Sequence, residues 1–278
     1  MDEDSSDRFD YISLLYARAH GFNVPTLKRL YILYEKQRMV SDSVVTLTNN
    51  YRSSQPILDF LTDNIYHEYK IHSPKRISPH PELKYSLYFS HVGGKAELNQ
   101  ERTSYYNLAE CYEVIEQMEW LENHWPLEWN TFNWQNSVCV IVPYSKQRSK
   151  IRKLLDENGF KDVDCQLVRN IQGKEYRAIV ISMVRTYQSC DVVYKKENNK
   201  QGFNESALEF GFFSNNRTLN TAFSRARSLI ICVGDARAMI KFGDNKCILR
   251  AYIKRCLEFN TIQSNSISID DLEQLVDD

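Results

Sequence analysis

The chain has 278 residues, 42% of them hydrophobic, with 35 Lys and Arg against 36 Asp and Glu for a formal charge of -1. That length carries one large α/β domain with a substantial core, and the near-neutral balance removes global basicity as a reason to expect a nucleic-acid partner. Seven cysteines without a Cys-x-x-Cys pair read as free thiols of a reducing compartment, and six histidines without ligand spacing leave no metal site to expect.

The acidic start MDEDSSDRFD has no apolar signal region, and no apolar run approaches the ~20 residues of a membrane span. The expectation is a soluble cytoplasmic protein without membrane contact, with nuclear entry left open. An acidic tail over 1–10, one domain over 11–260 and a second acidic tail over 261–278, either disordered or a peripheral helix, form the expected organisation.

In chain order, a helical pattern runs from Tyr11 to Tyr34, broken by Gly21 and Pro25. VVTLT (44–48) has the β-branched content of a short strand, and PILDFLTDNIYHEY (56–69) has proline at its start and apolar residues at helical spacing. Three prolines over 72–84 predict a loop, followed by a strand over 85–92 and a long amphipathic helix over 105–123. An aromatic connection leads to SVCVIVP (137–143), a strand stopped by proline, then to a helix over 145–158 ended by Gly159.

VDCQLV is a further strand, and AIVISMV (178–184) is apolar without alternation, as in a strand buried on both faces. Polar residues 186–209 predict a mobile insertion. A helix over 215–227, a strand over 229–234 and helices around 236–242 and 247–258 complete the pattern. Strands alternating with helices predict an α/β fold, a mainly parallel sheet covered on both faces, with ligands at the carboxyl ends of its strands.

Four polar clusters fall at strand ends: NNYRSSQP, PYSKQ, NIQGKE and FSRAR. Each alone reads as a turn or a solvated charge. Taken in order, "NNYRSSQPILDF", "IVPYSKQRSKI", "RNIQGKEYRAIVISMVRT" and "GFFSNNRTLNTAFSRARSLIICVGD" resemble the C-terminal motifs of superfamily 1 helicases of the up-frameshift type. Within that group the chain is most similar to the helicase-with-zinc-finger branch, through those last two stretches and "SYYNLAECYEVIEQMEWLENHWPLEWN". The resemblance covers about residues 11–260 and implies a second RecA-like motor domain.

It further implies ATP with Mg²⁺ as cofactor, single-stranded RNA as one partner and an N-terminal RecA-like motor domain of the same parent polypeptide as the other. Arg52 and Arg225 match the arginines that face the γ-phosphate, where a planar guanidinium supplies a fixed cation, and Arg225 matches the arginine finger. Tyr51 matches an adenine-stacking position, Glu175 a ribose-binding carboxylate, and Gln172 with Gly173 the turn that lets backbone approach a ligand.

Pro143, Tyr144, Gln147, Ser182 and Arg185 match positions near the nucleic acid, where a helix N-terminus after a strand also favours phosphate. The basic run Lys146, Arg148, Lys150, Arg152 and Lys153 reads either as added phosphate attraction or as a solvated helix face. Leu167 replaces the Ser or Thr common in relatives, and Thr218 replaces a second arginine. The sequence has no Gly-x-x-x-x-Gly-Lys-Ser/Thr loop and no Asp-Glu pair after a strand. A domain of this kind, starting just after the first motor domain, is expected to be inactive alone.

Overall fold

The computed structural model describes residues 26–37, 44–101, 103–129, 133–198, 211–213 and 215–277. The chain divides into two units, Met1–Leu47 and Thr48–Asp278. In the first lies helix α1 (Thr26–Lys36), the second half of the helical pattern read from the sequence; the part from Tyr11 lies outside the described residues.

VVTLT is not a strand. Its β-branched residues supply propensity without a neighbouring ladder, and a single parallel bridge joins Asn49 to His72. Pro74, Pro79 and Pro81, beyond His72, lack the N–H groups needed to extend it.

The remaining elements follow in order. They are α2 (Gln55–Leu61), running into a π turn at Thr62–Tyr66, then β1 (Leu87–His91), β2 (Ala96–Leu98), β3 (Tyr105–Asn107) and α3 (Leu108–Asn123). Next come β4 (Val138–Val142), α4 (Ser145–Glu157), β5 (Asp164–Leu167), β6 (Tyr176–Ser182) and α5 (Tyr187–Asn198). The chain closes with α6 (Asn216–Phe223), β7 (Ala226–Gly234), α7 (Ala236–Lys241), α8 (Lys246–Glu258), β8 (Ile262–Ser264) and α9 (Ile269–Asp277).

Six strands form one sheet in the order β5-β4-β6-β7-β1-β8, and every pairing in it is parallel. Side chains alternate between faces along each strand, so β6 sends Ile179 and Ile181 to one core and Ala178 and Val180 to the other, and an irregularity between Tyr176 and Ala178 turns Tyr176 to the first core. The first core is closed by α2, α6, α7, α8 and α9, the second by α3 and α4. Helices on both faces explain why β4, β6 and β7 read as continuous apolar runs. This is the α/β architecture read from the sequence.

Three further expectations change. Residues 187–198 form α5, so the segment read as a mobile insertion begins as helix; 199–210 lie outside the described residues. Past residue 260, β8 pairs with β1, and α9 buries Leu272 and Val276, so the acidic end belongs to the fold. Tyr105–Asn107, read as helix, pairs antiparallel with β2 because the Asn107 side chain caps α3 by accepting from the N–H groups of Ala109 and Glu110. All seven cysteines are free thiols, with Cys247 exposed and the others buried. Among the described residues, no helix is long and apolar enough to cross a membrane.

Candidate nucleotide and nucleic-acid site

Glu175 and Arg225 immediately precede β6 and β7, which lie side by side, so both fall at the amino edge of the sheet. The Tyr176 N–H donates to the Arg225 carbonyl at 3.0 Å and locks the two strand entries together. Arg52 arrives by another route. Asn50 Oδ1 accepts from the N–H groups of Arg52 and Ser53 at 2.8 and 3.0 Å, a side-chain-closed turn. Ser53 Oγ then donates to the Ala226 carbonyl at 2.7 Å, and the Ser54 N–H to the Arg227 carbonyl at 2.7 Å.

The guanidinium of Arg52 thereby meets Glu175, with Nε 2.8 Å from Oε2, while its Nη1 donates to the Ser224 carbonyl at 3.3 Å. Arg225 is fixed by three acceptors: the carbonyls of Thr221 at 3.1 Å and Lys174 at 3.3 Å, and Ser224 Oγ at 3.0 Å. Burial, and then the neighbouring charge of Arg52, lower the Arg225 pKa from its ordinary value. Arg227, not singled out in the sequence, places Nη1 3.6 Å from Glu175 Oε1 and has a buried Nε with no hydrogen-bond partner.

Two guanidinium groups therefore share one carboxylate, and a third, Arg225, stands beside them without one of its own. An excess of fixed cations with an unsatisfied donor is the electrostatic signature of an anion site. Beside it lies an open cavity of about 430 Å³ lined by Arg169, Gln172, Arg217, Thr218, Thr221 and Arg225. Tyr51 is 59% exposed, leaving its ring available for stacking. Gly173 has φ +80°, a left-handed conformation that glycine adopts without penalty, and no protein atom comes within 4 Å of where a Cβ would stand.

This set sits at the edge opposite the one at which ligands were expected. In a parallel sheet all carboxyl ends face one way, and residues 175 and 225 stand before their strands rather than after them. The segment AIVISMV was rightly a buried strand, but the polar knot ahead of it marks the amino edge.

The residues matched to nucleic acid lie at the carboxyl edge, and three of the five are enclosed. Gln147, Ser182 and Arg185 have no exposed surface. Gln147 Nε2 donates to Ser182 Oγ at 2.8 Å, and its Oε1 accepts from the Asn107 N–H at 2.8 Å. Ser182 Oγ lies 2.6 Å from the fully buried carboxyl of Glu110, which also accepts from the Val184 N–H at 2.8 Å. Arg185 stacks over the Tyr105 ring at 4.0 Å and donates to Ser189. These three hold the edge in shape rather than present themselves on its surface; Pro143 and Tyr144 remain half-buried.

The basic run on α4 also has internal partners. Arg148 donates to the Cys165 carbonyl at 2.8 Å, and Arg152 to the Phe160, Lys161 and Val163 carbonyls. Among the described residues, no group of three or more His, Cys, Asp or Glu side chains is placed to hold a metal ion.

A parallel sheet covered on both faces, with a cluster of arginines and one carboxylate at its amino edge, accords with a helicase-type AAA domain. The AAA domain family matches residues 26–237, and the chain belongs to that family. Within it the chain is similar to the helicase-with-zinc-finger branch: it is 32% identical over 251 residues to "Probable helicase with zinc finger domain" of Danio rerio. It is 29% identical to the human "3'-5' exoribonuclease HELZ2" and 26% identical to the human "RNA helicase Mov10l1". These matches cover 89%, 93% and 81% of this chain but 13%, 8% and 19% of the relatives, so the chain spans less than a fifth of each.

Proposed function

We propose that this chain supplies the C-terminal motor half of an ATP-dependent RNA helicase, completing a nucleotide site that another motor domain begins. The observation that carries this reading is the convergence of Arg52, Glu175 and Arg225, separated by up to 173 positions, on one edge. Binding RNA alone gives no reason to gather three arginines around one carboxylate, two of them paired with it, away from the carboxyl edge of the sheet.

The residues present fit the phosphate end of a nucleotide. Arg52 and Arg225 would hold the γ-phosphate, with the backbone acceptors around Arg225 fixing its fork before any ligand arrives. Glu175 keeps lone pairs free beyond its two arginine contacts and would accept from ribose hydroxyls. Tyr51 would stack on the base. When bound, ATP supplies the phosphoryl group whose transfer drives the motor, and Mg²⁺ would take its ligands from the other domain. RNA would cross the carboxyl edge near Pro143 and Tyr144, read through its backbone rather than its sequence.

The test mixes this chain with a separately expressed first motor domain and RNA. Recovery of ATP hydrolysis is expected, and Arg225→Ala should reduce it by about 10³-fold or more. No stimulation on mixing would overturn the motor reading and leave a regulatory RNA-binding module without turnover.

A further inference from the structure

Helix α8 breaks two local rules of helix design. Its first residue is Lys246, with no acidic residue in the first turn and no side-chain cap, although a helix N-terminus disfavours cations. Lys246, Arg250 and Lys254 then follow at four-residue spacing along one face, where like charges repel. Arg237 and Lys241 on the adjoining α7 add to the same rim. Among the described residues, Lys254 has a carboxylate within reach, Asp277 at 3.3 Å, whereas Arg237, Lys246 and Arg250 have none.

Several surface cations elsewhere are matched. Arg152 pairs with Asp156, Lys153 with Glu157, Lys174 with Asp164 and Arg255 with both Asp63 and Glu258. In a chain of net charge -1, three rim cations with no carboxylate in reach among the described residues, Arg237, Lys246 and Arg250, are a local arrangement. Sites where a sequence violates local preference without internal compensation are where function is expected.

The rim surrounds an open cavity of about 1030 Å³ between α7, α8 and α9. Its floor is aliphatic, built from Ile240, Ala251, Leu275 and Val276. Tyr187, the one aromatic lining residue among the described residues, carries Lys241 Nζ over its ring at 4.9 Å and is set edge-on to Phe242 at 5.3 Å. A strand of nucleic acid binds through phosphate attraction together with bases stacked on free aromatic faces. This groove offers the charge without the stacking face. An aliphatic floor inside a cationic rim instead complements a segment whose aliphatic side chains alternate with carboxylates.

We propose that the groove between α7, α8 and α9 is a docking site for an acidic amphipathic peptide segment of another protein. Carboxylates of that segment pair with Arg237, Lys246 and Arg250, and its aliphatic side chains fill the floor. The site is independent of the Arg52, Glu175 and Arg225 cluster, so it stands or falls apart from the motor reading.

The test is fluorescence anisotropy on the full chain with a labelled peptide of about 16 glutamate and leucine residues, the leucines spaced for one helix face. Saturable binding is expected at about 50 mM salt, weakening at about 300 mM. The paired variant Lys246→Glu with Arg250→Glu, both at surface positions, should weaken it about tenfold. A peptide with serine in place of leucine should also bind more weakly, as the apolar floor requires. Circular dichroism establishes that the variant is folded, and Lys246→Gln with Arg250→Gln, which removes charge without reversing it, should give an intermediate loss. Absence of binding, or binding unchanged in the folded variants, overturns the proposal. So does displacement of the peptide by oligo-uridine whose own affinity falls in the same variants, since the groove would then be a nucleic-acid path.

Discussion

Glutamine in place of Glu110 keeps the side chain's shape while removing one acceptor and the ability to ionise. Glu110 is fully buried: Oε2 lies 2.6 Å from Ser182 Oγ and accepts from the Val184 N–H at 2.8 Å, and Oε1 accepts from Asn107 Nδ2 at 3.2 Å. The Asn107 amide is not free to turn over, because its Oδ1 caps α3. A glutamine NH₂ therefore faces a donor whichever way it is placed, at a cost of about 1–3 kcal/mol for the buried group left unsatisfied. The acid itself behaves differently with pH. Burial pushes its carboxyl from 4.5 up to about 8, outweighing the hydrogen bonds from Ser182, Val184 and Asn107 that pull it down. The folded protein thus holds a proton that the unfolded chain releases. This contribution to stability is complete below about pH 4.5 and is lost as pH rises through about 8, at up to about 1.4 kcal/mol per pH unit. Urea unfolding of wild type and Glu110→Gln between pH 5 and 9 separates the two effects. The variant should be less stable at pH 5, and the gap should close or reverse by pH 9. A gap constant with pH, or one that widens as pH rises, would refute the reasoning and make Glu110 an ordinary ionised carboxylate.

Two glycines give a matched pair. Gly243 has φ +78°, and a Cβ there would collide with the Phe213 carbonyl oxygen, which also accepts from the Asn245 N–H at 2.8 Å. Gly159 has φ +88° but open space around it. Gly243→Ala should cost about 3 kcal/mol or more, against about 1–2 kcal/mol of backbone strain for Gly159→Ala, and equal shifts in the urea midpoint would contradict the assigned contact. Glu175→Ala breaks a partly exposed ion pair and should lower stability by less than about 1 kcal/mol. If Glu175 holds a ribose, the same change should weaken nucleotide binding in the two-domain mixture, measured with a fluorescent nucleotide; unaltered affinity would remove it from the site.

Strands buried on both faces announced themselves in the sequence, because Val138–Val142 and Tyr176–Ser182 are nearly all apolar and need no partner information to be read. The edge strand Ile262–Ser264 was not legible, since three half-buried residues in a polar stretch carry no periodic signal. The start of α3 could have been found, for Asn107 followed three positions later by Glu110 is the pattern of a capped helix entry. Arg52, Glu175 and Arg225 were recognisable only through the order of their motifs. Nothing local brings residues 52 and 225 together, and a polar motif at a strand junction looks the same whether it precedes or follows its strand. Glu110 was hidden among Glu113, Glu116, Glu119 and Glu122 on the same helix, and only packing tells a buried carboxyl from a solvated one.

The two edges are joined by the strands between them, and this constrains how one would report to the other. The seven residues of β6 carry the chain about 20 Å from Glu175 to Ser182. Along that path β6 is hydrogen-bonded to β4 and β7 and buried on both faces, leaving it no alternative packing to switch into. At the far edge, Ser182 and Val184 are tied through Glu110 to α3 and through Gln147 to α4. Val184 is held at φ +70°, which a β-branched residue adopts only when its surroundings impose it. An anion drawing on Arg52 and Arg225 would therefore move both edges together instead of rearranging one against the other. In the motor reading, coupling between nucleotide and RNA then resides in rigid displacement of this domain relative to its partner domain, with the buried network at the carboxyl edge keeping that displacement from dissipating locally.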